Sequence, residues 1–149
     1  MSKNTVEKYM DLLSQVFIIF KVEGFSRNLR KEISKSPRWY FFDNGIRNSI
    51  IANFNSHKLR NDTGQLWENY AISERIKYQN IKKMTVNNYF WRTYDQQEID
   101  WIEEREGVLH AYEFKINDKK VKVPPAWEKA YPESEFEVIT QDNFHEWVI

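Results

Sequence analysis

The chain reads as an α/β (α+β) protein. A mixed sheet in the order helix, strand, strand, strand, helix, strand is preceded by one further helix and a β-hairpin. Three observations predict this. Apolar residues recur at helical spacing around residues 6–16 and 66–76. Short segments rich in aromatic and β-branched residues occupy most of the remainder. Turn-forming clusters stand at the joints: Asp43-Asn44-Gly45, Asn61-Asp62-Thr63-Gly64, Glu106-Gly107 and Pro124-Pro125.

Taken in order, Asn4 and Glu7 are spaced to cap each other's backbone amides at a helix start. Val6, Tyr9, Leu12, Leu13 and Val16 follow on one helical face. Residues 16–22 then turn β-rich, and Arg38-Trp39-Tyr40-Phe41-Phe42 supplies a second such run. The polar stretch between them carries Arg27, Arg30, Lys31 and Lys35, so the pair reads as a long, basic-tipped hairpin. Ile46, Ile50, Ile51 and Phe54 fit a short amphipathic helix, and Leu66, Trp67, Tyr70, Ala71 and Ile76 form the apolar stripe of a longer one. Residues 88–93, 98–103 and 108–115 are three short strands. Pro124-Pro125 opens a helix ending near Tyr131-Pro132, because proline suits a first helical turn. Residues 136–140 are the last strand, and 143–148 a closing helical turn.

At 149 residues, with 41% hydrophobic and 16% aromatic side chains, the chain is of one-domain size and carries enough apolar bulk to exclude wholesale disorder. The 22 basic and 22 acidic residues cancel, so the basic excess typical of nucleic-acid modules is missing, although a local basic patch remains compatible with that balance. The absence of cysteine excludes disulfides, zinc ribbons and thiolate nucleophiles. His57, His110 and His145 fit no zinc spacing. The longest apolar run, residues 16–20, is too short to cross a membrane, and no apolar signal segment opens the chain, so a soluble cytoplasmic protein is predicted. No Gly-x-x-x-x-Gly-Lys-Ser/Thr phosphate loop occurs, and no ATP site is expected.

The chemistry concentrates in Tyr112-Glu113-Phe114-Lys115. On a strand, Glu113 and Lys115 project together, roughly 7 Å apart. A carboxylate can hold a hard divalent cation, and an ammonium beside it can stabilise an anionic transition state. An antiparallel pairing of the preceding strand brings Asp100 beside Glu113. Two carboxylates so placed repel each other unless a cation sits between them, and magnesium or manganese suits such a pair. Glu68, early in the preceding helix, reaches the same edge. The candidate catalytic residues are therefore Lys115, Glu113, Asp100 and Glu68, with Asp100, Glu113 and Glu68 as metal ligands. Each also has a structural reading: a same-face ion pair for Glu113 and Lys115, a turn acceptor for Asp100, and a helix-dipole partner for Glu68.

Lys119, Lys120 and Lys122, and Arg92 beside Trp91, are candidate nucleic-acid contacts; the lysines read equally as a solvated loop. Trp91 reads as core, and His110 as a packed or partly exposed strand residue. Trp67, Trp101, Trp127 and Trp147 read as core or rim aromatics.

Glu68, Asp100 and Glu113-Phe114-Lys115 resemble the PD-(D/E)xK nuclease superfamily, with its restriction-endonuclease-like αβββαβ core. More narrowly, five segments resemble the C-terminal domain of unknown function in a large group of prokaryotic AAA+ ATPases. They are Trp39-Tyr40-Phe41-Phe42-Asp43-Asn44-Gly45, Gly64-Gln65-Leu66-Trp67-Glu68-Asn69, Tyr89-Phe90-Trp91-Arg92, Glu98-Ile99-Asp100-Trp101 and Tyr112-Glu113-Phe114-Lys115. The likeness covers nearly the whole chain, though Ile99 stands where the superfamily's namesake proline falls. In that group the order is ATPase, winged helix, nuclease-like domain. The resemblance thus implies that residues 1–43 are a winged-helix remnant, that 44–149 form the nuclease-like domain, and that the chain is a piece of a longer protein whose ATPase module it lacks. The remnant's apolar side is then expected to be incompletely covered. The implied function is metal-dependent cleavage of DNA. The alternatives are a catalytically inactive nuclease-fold module that docks the ATPase to DNA or protein, which neutral net charge favours, and a purely structural cap.

Overall fold

The computed structural model describes residues 2–27, 32, 36–117 and 120–149. Among the described residues six strands, β1 (Ile19–Gly24), β2 (Arg38–Phe41), β3 (Asn87–Arg92), β4 (Glu98–Arg105), β5 (Val108–Phe114) and β6 (Glu135–Ile139), form one sheet in the order β2-β1-β3-β4-β5-β6. Pairings β1–β2, β3–β4 and β4–β5 are antiparallel, whereas β1–β3 and β5–β6 are parallel, so the sheet is mixed as expected. Among the described residues five α-helices accompany it: α1 (Lys3–Gln15), α2 (Asn44–Ile50), α3 (Thr63–Ile81), α4 (Pro125–Ala130) and α5 (Phe144–Val148). On one face Ala71 and Ile72 of α3 and Phe144 and Trp147 of α5 pack over Phe20, Phe90, Trp101 and Tyr112. On the other face Trp127 of α4 and the adjacent Tyr131 cover Trp91, Ile99, Ile102 and Ala111.

Register comes from one turn. Glu106 and Gly107 both take positive φ, 53° and 79°, the signature of a two-residue I′ turn whose twist suits a tight hairpin. From Arg105 opposite Val108, pairing runs without a slip to Trp101 opposite Tyr112. Continuing that register by one residue brings Asp100 to the level of Glu113, and the Asp100 side chain accepts from the next amide, that of Phe114. The β3–β4 ladder does slip. Tyr89 faces Ile102 and Trp91 faces Ile99, so β4 spends three residues where β3 spends two. This β-bulge brings Asp100 and Trp101 together opposite Phe90, and such a bulge re-aims side chains. Trp101 joins the α3-side core while Ile99 and Ile102 join the α4-side core.

The hairpin is part of the main sheet. β1 adds to β3 through Glu23 opposite Tyr89 and Gly24 opposite Phe90, and Ile19, Phe20, Val22 and Tyr40 are buried. Helix α1 is different: it buries no residue, and Val6, Tyr9, Leu12, Leu13, Val16 and Phe17 are exposed. Incomplete cover, expected for both, is found for the helix alone. Two local expectations are corrected. Ser2, not the Asn4–Glu7 pair, caps α1, its side chain accepting from the Thr5 amide. β1 begins at Ile19 rather than near Val16, because α1 closes with Phe17 at φ 58° and with the amides of Phe17 and Ile18 donating to Ser14 and Leu13.

Candidate functional site

Residues drawn from three strands, β2, β4 and β5, and from helix α3 meet at the end of the sheet where β4 begins and β5 ends. Helix α3 is pinned there by Asn69, whose side-chain amide accepts from the Phe41 N–H at 2.8 Å and donates to the Phe41 carbonyl at 2.9 Å. That pair of hydrogen bonds to β2 holds the preceding residue, Glu68, beside Tyr40, whose hydroxyl donates to Glu68 at 2.8 Å. Asp100 accepts from the Phe114 N–H on β5 at 3.1 Å. Lys115 donates to Glu113 at 2.6 Å. Glu68, Glu98, Asp100, Glu113 and Lys115 together line a cleft of about 610 Å³. All four candidate catalytic residues are therefore brought to one place.

Arg38, Tyr40 and Glu98 were not foreseen. Arg38 on β2 lies over the Phe90 ring at 4.6 Å. Its guanidinium donates to Glu98 at 2.7 Å and stands 3.7 Å from Asp100 and 3.9 Å from Glu68. One signal was available for Glu98, which precedes Asp100 by two residues on the same strand. Arg38 and Tyr40 also alternate on theirs, but nothing local ties β2 to acids 28 to 62 residues away.

The electrostatics follow from this crowding. Burial, then the charges of Glu68 and Glu113, push the Asp100 carboxyl up to about 7, although the Phe114 N–H and Arg38 oppose them. Glu68 is raised chiefly by burial and further by Glu98 and Glu113, with Tyr40 and Arg38 opposing. Burial would lower Lys115, but its hydrogen bond to Glu113 and the charges of Glu113, Asp100 and Glu68 outweigh it and raise the group. The cleft can thus hold a proton at neutral pH, and it gathers more negative charge than its cations fully offset. The donor set is all carboxylate oxygen, which fits a hard cation such as magnesium or manganese. Among the described residues no three carboxylate or histidine side chains converge as a ready-made metal cage. Magnesium uses one or two carboxylates with water and phosphate, which the cleft can provide.

The predicted nucleic-acid contacts are spread more widely. Arg92 is half-buried on β3 opposite Glu98, at the margin of the cleft, and its Nε lacks a hydrogen-bond partner among the described residues. Lys120 and Lys122 are exposed between β5 and α4, and Lys119 lies outside the described residues. His110 pairs with Glu135 on β6 at 2.7 Å, a strand contact away from the cleft lining. Trp91, Trp101, Trp127 and Trp147 are buried, as read; Trp67 is partly buried against the α3-side core. No helix among the described residues is long and apolar enough to cross a membrane.

The profile of a "Domain of unknown function (DUF4143)" matches residues 63–143, more than half of the chain. The chain belongs to the DUF4143 family. A second profile, "Domain of unknown function (DUF8612)", matches residues 1–58. The acid cluster is contacted from both matched segments: Arg38 and Tyr40, which reach its carboxylates, lie in the first 58 residues, and the acids and Lys115 lie in the DUF4143 segment. Two uncharacterized proteins, Rv2008c of Mycobacterium tuberculosis and Mb2031c of Mycobacterium bovis, are each 22% identical over 118 residues, covering 76% of this chain and 25% of their own length. The chain spans about a quarter of the length of the curated relatives it matches. No solved structure matches it.

Proposed function

We propose that this DUF4143 chain is a metal-dependent phosphodiesterase acting on DNA, on a PD-(D/E)xK nuclease core of the restriction-endonuclease type. The observation that carries the reading is the single cleft holding Glu68, Asp100, Glu113 and Lys115, with the Asp100 carboxyl raised by its acidic neighbours. The element order α3, β3, β4, β5, α4, β6 supports the fold assignment. Asp100 and Glu113 would hold magnesium or manganese, with Glu68 lining the same cleft as a further oxygen donor, and the metal would neutralise charge on the scissile phosphate. Lys115 serves the anion that develops as the phosphate is attacked. The same reading places the chain in the cytoplasm, behind a winged helix and the ATPase module of an AAA+ protein, with residues 1–43 as the winged-helix end.

A second reading, a non-catalytic module that docks such an ATPase to DNA or to a protein partner, is favoured by the cations already standing among the acids: Arg38 between Glu68, Glu98 and Asp100, and Lys115 on Glu113. One assay separates the two. Purified chain is incubated with plasmid and single-stranded DNA in magnesium or manganese, beside Lys115→Ala and Glu113→Gln. Cleavage by wild type alone supports the nuclease. No cleavage, together with a melting temperature indifferent to millimolar manganese, leaves the docking module.

A further inference from the structure

The cleft acids belong to the DUF4143 segment, but the cation nearest three of them comes from β2, in the other matched segment. Arg38 is mostly buried, rests on Phe90, and reaches Glu98, Asp100 and Glu68 with one guanidinium. Only the Glu98 contact, at 2.7 Å, is a hydrogen bond; at 3.7 and 3.9 Å, Asp100 and Glu68 are held by charge alone. Arg75, by contrast, makes a bidentate fork on one carboxylate, Glu103, through bonds of 2.6 and 2.8 Å, a frequent geometry for matched arginine–carboxylate pairs. Arg38 instead spreads a planar fork, which suits phosphate oxygens, across acids that a divalent cation also needs.

We propose that Arg38 is a phosphate-binding residue that couples phosphate binding to metal binding. Without a polyanion it neutralises Glu68 and Asp100 and competes with a divalent cation for them. When a phosphodiester enters the cleft, the guanidinium turns to the phosphate oxygens and frees the two carboxylates. Phosphate and metal then favour each other, and linkage requires the effect to be reciprocal. No bond is made or broken in this step. The proposal rests on the nuclease reading for the identity of its two ligands.

The test is calorimetric titration of the full chain with manganese, with and without a short phosphorothioate oligonucleotide that resists cleavage. Wild type should bind manganese about tenfold more tightly when the oligonucleotide is present, within the usual range of site-to-site coupling. Arg38→Met should bind manganese tightly whether or not the oligonucleotide is there, and should bind the oligonucleotide more weakly. Arg38→Lys keeps the charge without the fork and should show reduced but measurable coupling. Circular dichroism melts check that the variants fold, and Arg38→Lys serves if Arg38→Met does not. Manganese affinity that is unchanged by the oligonucleotide and equal in all folded variants overturns the coupling while leaving the nuclease reading intact. No manganese binding by any of them, in any arm, overturns both.

Discussion

Two buried carboxylates on β4, three residues apart, meet opposite fates. Glu103 is fully buried, yet it is surrounded by donors: Arg75 at 2.6 and 2.8 Å, Gln79 at 2.8 Å and the Trp101 indole at 3.2 Å, with Arg105 at 3.3 Å. Burial would raise its pKa, but the Arg75 bonds and the other donors outweigh burial and hold it low. Asp100 is slightly less buried, at 8% exposure, but has one backbone donor, a shared arginine and two further acids for neighbours. Its carboxyl is pushed up to about 7. Depth does not distinguish them; partners do. A carboxylate matched by its own donors serves the fold, whereas one left in excess negative charge is available to an external cation or proton.

The largest expected effect tests the matched member. Glu103→Ala strands the buried Arg75 and should lower unfolding free energy by about 3–5 kcal/mol in urea titrations at pH 7. A loss below 1 kcal/mol would place Glu103 with the surface pairs and dissolve the contrast.

Asp100→Asn tests the other. Because the folded pKa lies above the ordinary value near 4, the folded state keeps its proton after the unfolded chain has released it. The associated stability is present below about pH 4 and lost as pH rises toward 7. The variant should therefore match wild type near pH 4 and exceed it by about 4 kcal/mol at pH 8, the Asn oxygen still accepting from Phe114. An advantage equal at both pH values would mean that titration is not its source. Glu103, whose pKa is lowered, has the opposite window: its contribution is present above the ordinary carboxylate range and lost on acidification.

The smallest effect sharpens the boundary between the two sites. Tyr40→Phe removes the phenol that donates to Glu68 and should cost about 1 kcal/mol. It should also move the titration of Glu68 further upward, since Tyr40 is the first of the groups holding it down. Carboxyl chemical shifts followed by NMR would show that movement, and a static Glu68 would assign Tyr40 a packing role only.

The gathering of Asp100, Glu113 and Lys115 was legible because it needs only local rules. A period-two pleat pairs Glu113 with Lys115, and a two-residue turn at Glu106-Gly107 carries the register back to Asp100. The polar side of the core was not legible. The apolar stripe foreseen on α3 holds for Leu66 and Ala71, which are buried, and for Trp67 and Ile76, which pack partly buried against the core, but Tyr70 is exposed while Ile72, Asn69, Ser73, Arg75 and Gln79 are buried. Arg75 and Gln79 are inside because Glu103 is, and that pairing spans 28 and 24 residues. Helix ends were also obscured, since Phe17, Ala52 and Lys83 take the left-handed position that glycine usually marks.

The sequence by itself determined the strand and helix order, the aromatic core and the acid-x-lysine strand, because spacing and turn chemistry act between near neighbours. Only the tertiary structure decided that β1 and β2 extend the same sheet, that a bulge in β4 aligns Asp100 with Trp101, and that Arg38 and Tyr40 reach the carboxylates of the acid cleft. Those outcomes depend on which distant groups are buried together, and a charge is stabilised by whatever partner the packing supplies, at whatever separation along the chain.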